Sequence, residues 1–199
     1  MSNDRHHRIP GATYFFTIRL ADRHSDLLLR RIDLLRHAMR QTLDRHPFHI
    51  DAITVLPATI YMLCTLPPQD DAFRTRISML KSRFSRACTM PAHRSLAQIR
   101  RGEKGIWQRR YWDHAIRDAD DFARHRDLIY LSPVHAGLCP RPQDWAHTSL
   151  HRDLRKGNGT LLAPEYRADA NDRRHSSTAP KRAPVKQNAK TQLGNHLVM

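Results

Sequence analysis

The chain has 199 residues, with 34 Lys and Arg against 19 Asp and Glu, for a formal net charge of +15 and a pI near 10.8. That balance excludes an acidic solvating chain and points to a polyanionic partner, with nucleic acid the first candidate. Three widely spaced cysteines, Cys64, Cys88 and Cys139, form no CxxC pair, which excludes a disulfide framework and a four-cysteine zinc site and fits a reducing interior. The opening MSNDRHHRIPG has no apolar h-region and no run approaches ~20 apolar residues. The expected location is the cytoplasm, at the nucleoid.

The length predicts one domain with an extension. Residues 1–8 read as a disordered N-terminus, 9–156 as the folded domain, and 157–199, rich in Gly, Pro, Ser, Asn and basic residues without periodicity, as a disordered cationic tail. A body of about 150 residues buries roughly 70% of its unfolded surface, enough for a core without metal or disulfides.

In chain order, Thr13 to Leu20 (TYFFTIRL) is a strand introduced by Gly11. Ser25 is the predicted N-cap of a helix from Asp26 to about Arg45, whose Leu28, Ile32, Leu35, Met39 and Leu43 fall on one face. Phe48 to Pro67 reads as two β-branched runs broken at Pro57. Side chains alternate along the second run. Thr59, Tyr61, Leu63 and Thr65 share one face, and Ile60, Met62, Cys64 and Leu66 the other. An i, i+2 ligand pair on this strand would be Thr59 and Tyr61, a neutral hydroxyl and a phenol titrating near pH ~10, both poor divalent-metal ligands.

Asp70 or Asp71 opens the next helix, with Phe73, Ile77, Leu80, Phe84 and Ala87 on its apolar face. Arg74, Arg76, Lys81, Arg83 and Arg86 lie on the other face with no acid among them, a candidate row of phosphate contacts. Met90 to Lys104 is polar and non-periodic, so it reads as a loop with Lys104 as a further cation. Ile106 to Trp112 sets Trp107, Tyr111 and Trp112 around Arg109 and Arg110, which offers bases a stacking surface and the backbone a charge. Trp107 is expected in the core. Asp118 caps a third helix through Phe122 and His125 to Leu131, stopped by Pro133, and Gly137 marks the turn after it. Trp145 to Lys156 is a short basic amphipathic segment. Its His147 and His151 stand i, i+4 and are read as a surface or DNA-facing pair in preference to a metal site.

Many short strings, in order, resemble one family. They are GATYFFTIRLADRHSDLL, HPFHID at 46–51, VLP and TLP, FSR, GIWQRRYWDH, IRDADDFARH, SPV-x-x-GL and the DW at Trp145. Together they resemble the REP-associated tyrosine transposases, relatives of the single-tyrosine HUH transposases, over about Ile9 to Arg155. The resemblance implies an α/β (α+β) single domain with a central antiparallel sheet and helices packed on it. It implies binding to hairpin-forming, repeated palindromes in single-stranded DNA. In active members it implies a metal-held phosphate (Mg²⁺ or Mn²⁺) attacked by a tyrosine, giving a 5′-phosphotyrosine.

Carried over residue by residue, the family's His-x-His metal pair falls on Thr59 and Tyr61, and the polar residue before it on Ala58. The nucleophilic tyrosine falls on Leu128, and the Asn on the same helical face on Ser132. His114 matches a histidine of the family's WEH-like segment and joins the DNA-contact candidates. No catalytic residue or cofactor is therefore expected. The reading is a non-catalytic transposase homologue that keeps DNA binding through Arg74, Arg76, Arg83, Arg86, Lys104, Arg109, Arg110, Tyr111, Trp112 and His114. An alternative stays open: an active transposase or nuclease with a rearranged site, using Tyr130 or Tyr61 as nucleophile. A third is the product of a decaying gene.

Overall fold

The computed structural model describes residues 9–89, 96–102 and 104–157. The expectations of a disordered N-terminus and a cationic tail lie outside the described residues, apart from Gly157. Chain order is β1 (Thr13–Arg19), α1 (Leu27–Arg30), α2 (Ile32–Arg45), β2 (His49–Val55), β3 (Thr59–Thr65), α3 (Phe73–Ala87), α4 (Leu96–Arg100), β4 (Trp112–Ala115), α5 (Ala119–His135), a 3₁₀ turn (Pro142–Asp144) and α6 (Leu150–Arg155).

The four strands form one antiparallel sheet in the order β2-β3-β1-β4. β1 and β2 run parallel with β3 between them, and β3 and β4 run parallel with β1 between them. The chain thus makes two split β–α–β units. Their helices α2 and α3 pack together on one face, over Phe16, Ile18, Ile60 and Met62. The opposite face, with Phe15, Ala52 and Leu63, is covered by Leu128, Ile129 and Tyr130 of α5 and Leu150 of α6. The expected antiparallel sheet with packed helices and the predicted alternation along β3 are both present.

Four local expectations are corrected. The first long helix is interrupted at Arg31 (φ −120°, ψ 34°), where α1 turns to bury Leu28 and donate its N–H to the Pro57 carbonyl at 3.2 Å. Asp70 precedes α3 and does not open it; its carboxylate accepts the Ala72 N–H at 2.7 Å. Part of the loop predicted between Met90 and Lys104 is the helical turn α4. Pro133 lies inside α5, which continues to His135. Proline removes the N–H that would reach the carbonyl four residues back, but here the Ser132 hydroxyl donates to that carbonyl, Ile129 O, at 2.7 Å.

Candidate nucleic-acid interface on the α5 face of the sheet

Strand register assembles this face. Phe15, Thr17 and Arg19 of β1 stand opposite Leu63, Tyr61 and Thr59 of β3. Ala52 and Thr54 of β2 flank Leu63 and Tyr61, and His114 and Trp112 of β4 flank Phe15 and Thr17. The Tyr61 ring stacks on Phe15 with centroids 6.1 Å apart and planes within 13°. Leu128 is 8% exposed and belongs to the same apolar cluster as Phe15, Leu63 and Tyr61. Of the positions that the family resemblance gives to ligand and nucleophile, Tyr61 and Leu128 therefore meet in one apolar cluster. Ala58 turns into the core under α2 and α3, and Ser132 is committed to the Ile129 carbonyl. A divalent metal does not fit Thr59 and Tyr61, which offer a hydroxyl and a ring-stacked phenol where imidazoles would be needed.

Among the described residues, His114, Asp121 and His125 are the one group of three side chains close enough to share an ion. Hydrogen bonds also join them. His114 Nε2 lies 2.8 Å from Asp121 Oδ2, and His125 Nδ1 lies 2.8 Å from the Asp121 carbonyl. The carboxylate also accepts the Arg117 N–H at 3.1 Å and the Arg124 guanidinium at 3.1 Å. Burial would push the Asp121 carboxyl upward. The His114 hydrogen bond, the Arg117 N–H and the nearby histidines outweigh it and hold the group well below the usual carboxylate range. The cluster orients rings. The Trp112 and His114 rings stack with planes within 3° and centroids 5.7 Å apart, and those of His114 and His125 with planes within 19° and centroids 4.7 Å apart. Sequence spacing shows Asp121 and His125 at i, i+4 but does not report them as partners of His114, because β4 and α5 meet only in the fold.

The loop before β4 is clasped onto α3. Lys81 donates to the Gln108 carbonyl at 2.8 Å, Lys104 to the Ser85 carbonyl at 2.8 Å, and Trp107 Nε1 to the Lys81 carbonyl at 3.1 Å. Trp107 is in the core, as expected. Arg109 and Arg110 are exposed. Tyr111 packs edge-on against Phe16 at 5.9 Å, on the face opposite Trp112.

The basic row of α3 splits. Arg76 is 3% exposed, its guanidinium bound to both oxygens of Asp70 at 3.0 and 2.6 Å and to the Pro47 carbonyl at 2.8 Å. It is a buried structural cation and not a phosphate contact. Arg83 donates to Gln41 at 2.8 Å. Arg74 and Arg86 stay exposed and border a shallow groove with Thr75, Ser78 and Ser82.

Tyr130 is wholly buried, and its hydroxyl donates to Asp153 and lies 3.3 Å from Ser149 Oγ. Burial and the Asp153 carboxylate push the phenol up to about 12, so its position suits a structural hydroxyl and not a nucleophile. His147 and His151 do not converge: His151 Nε2 lies 2.9 Å from the Trp145 carbonyl, and burial lowers the His147 imidazole.

No protein-family model matches the chain. Comparison with known proteins is otherwise decisive. Among solved structures, a REP-associated tyrosine transposase bound to a REP hairpin superposes with a TM-score of 0.70 at 35% identity, covering 93% of this chain and 100% of that one. The layered sheet is thus the HUH transposase fold. Among curated sequences, the REP-associated tyrosine transposase of Escherichia coli strain K12 is 39% identical over 172 residues, which is 86% of this chain and 94% of that protein. A Haemophilus influenzae protein carrying the same family name is 41% identical over 156 residues, 78% of this chain and 89% of the relative. The chain belongs to the REP-associated tyrosine transposase family. No helix among the described residues is long and apolar enough to cross a membrane.

Proposed function

We propose that residues 9–156 form a domain that binds hairpin-forming single-stranded DNA and does not cut it. The observation that carries the reading is the packing of Tyr61 and Leu128 into one apolar cluster with Phe15 and Leu63. In this family the chemistry needs a metal-held phosphate beside a free phenol; here a ring-stacked phenol and a leucine side chain stand in those places. Around them stand the paired sheet, the oriented Trp112–His114–His125 rings, and exposed Arg74, Arg86, Arg109 and Arg110. Exposed cations supply sequence-independent affinity and stacked rings suit unpaired bases.

The test is incubation of the purified chain with labelled single-stranded palindromic DNA and Mn²⁺, read on native and denaturing gels. A native shift without nick or denaturing-stable adduct is expected. An adduct lost on Tyr61→Phe or Tyr130→Phe would establish a rearranged catalytic site instead. No native shift would remove DNA binding.

A further inference from the structure

We propose that Arg19 is a phosphodiester-binding residue, a resident cation that grips the DNA backbone on the α5 face of the sheet, beside the poor metal ligands Thr59 and Tyr61. Arg19 ends β1 and stands directly opposite Thr59. Cross-strand partners in such a pair have Cβ atoms about 4.5–5.5 Å apart on one face. Alternation from Phe15 through Thr17 puts its side chain on the α5 side, next to the position that carries no metal ligand.

Its charge is uncommitted, and this sets it apart. Among the described residues most other partly or fully buried arginines have carboxylate partners, Arg76 with Asp70, Arg124 with Asp121, Arg126 with Asp127 and Arg152 with Asp153, while Arg83, on α3, donates to the Gln41 amide oxygen. Arg19 is half-buried and, among the described residues, no carboxylate pairs with it. A half-buried cation without a counter-ion is costly to hold unless an anion arrives. The surroundings suit a phosphate. The Thr59 hydroxyl is beside it, and the Arg19 carbonyl accepts the Gln108 N–H at 2.9 Å, so the loop carrying exposed Arg109 and Arg110 starts against this residue. A guanidinium presents a planar fork that matches phosphate oxygens two at a time, and it keeps its charge at any physiological pH. It holds a phosphodiester without activating a nucleophile, which is binding without cleavage.

The inference rests on the DNA-binding reading above, and the experiment separates the two. Anisotropy titrations of the full chain would use a labelled palindromic hairpin and an unstructured oligonucleotide of equal length, over a salt series, with EDTA or with Mg²⁺. Wild-type affinity is expected to be the same in EDTA and Mg²⁺. Arg19→Gln should weaken binding about tenfold at low salt and lower the magnitude of the salt slope by about one, with Arg19→Lys recovering part of the loss. Matching melting curves exclude unfolding as the cause. Equal binding and slope for Arg19→Gln, or wild-type binding abolished by EDTA, would overturn the assignment while leaving DNA binding intact. Loss of hairpin preference, with the Arg19 effect persisting on the unstructured strand, would instead defeat the hairpin reading alone. A wild-type chain that binds neither DNA overturns both.

Discussion

The two faces of the sheet come from the same strands, residue by alternate residue, yet they are filled by different rules. Under α2 and α3 the cluster is large and almost sealed from solvent, running from Tyr14 and Phe16 to Leu80 and Phe84, with Arg76 held beside it by Asp70 as a buried cation. Under α5 the apolar cluster is small, and Thr17, Arg19, Thr54 and Thr59 continue the face as polar groups. Apolar burial dominates the first face. On the reading proposed above, the second has packing groups at the centre of a DNA-binding surface, and it can vary there because strand register and the placement of α2 and α3 are anchored by the other face.

Truncating one leucine on each face breaks or sharpens this contrast. Leu80 of α3 is 1% exposed in the large core, and Leu128 of α5 is 8% exposed at the edge of the small one. Leu80→Ala should cost about 4 kcal/mol and Leu128→Ala about 2 kcal/mol, the difference reflecting how readily each site collapses around the missing methyls. Chemical denaturation of both variants reads this directly. Equal losses would mean that the α5 face is packed as tightly as its opposite.

What the sequence made legible follows the same division. Strand alternation from Thr59 to Leu66, the helical faces of α2 and α3, and the break at Pro57 were readable because each depends on local periodicity and on one dominant effect, apolar burial. The family resemblance names Thr59, Tyr61 and Leu128, but spacing alone does not bring β3 to α5, and the packing of Tyr61 with Leu128 comes from the fold. The roles of Arg76 and Arg19 were not legible. Both are arginines in amphipathic contexts, and only tertiary structure separates a guanidinium clamped by Asp70 from one that stands opposite Thr59 and, among the described residues, pairs with no carboxylate. Pro133 misled for a related reason: the Ser132 hydroxyl that keeps α5 intact is a local bond that no periodicity reports.

Asp121 gives the next test, since it ties β4 to α5 on the site face. Its side chain is 2% exposed and contacts His114, Arg117 and Arg124. Asp121→Asn should cost about 2 kcal/mol at neutral pH, because a buried acceptor loses the charge that strengthens its bonds to His114 and the Arg117 N–H. The Arg117 and Arg124 side chains are exposed enough for water to replace it. The folded-state pKa is depressed, so the carboxylate's contribution is complete above its ordinary value near pH ~4 and is lost as pH falls toward the lower folded value. Wild-type stability should therefore drop through that acid window, and the variant should lose that part of the slope. An acid limb unchanged in Asp121→Asn would show that other carboxylates set it.

The smallest expected effect concerns Ser132, which the family resemblance places where active members carry an asparagine. Its hydroxyl bond to Ile129 O at 2.7 Å supplies the donor that Pro133 lacks, in a residue 7% exposed. Ser132→Ala should cost about 1 kcal/mol, the usual net worth of one such bond, and should leave hairpin affinity unchanged. Ser132→Asn is the sharper variant. If the position serves only the helix, asparagine should be no better than alanine. Were it to tighten DNA binding while leaving stability at the alanine level, the α5 face would still be arranged around a polar group that this chain no longer has.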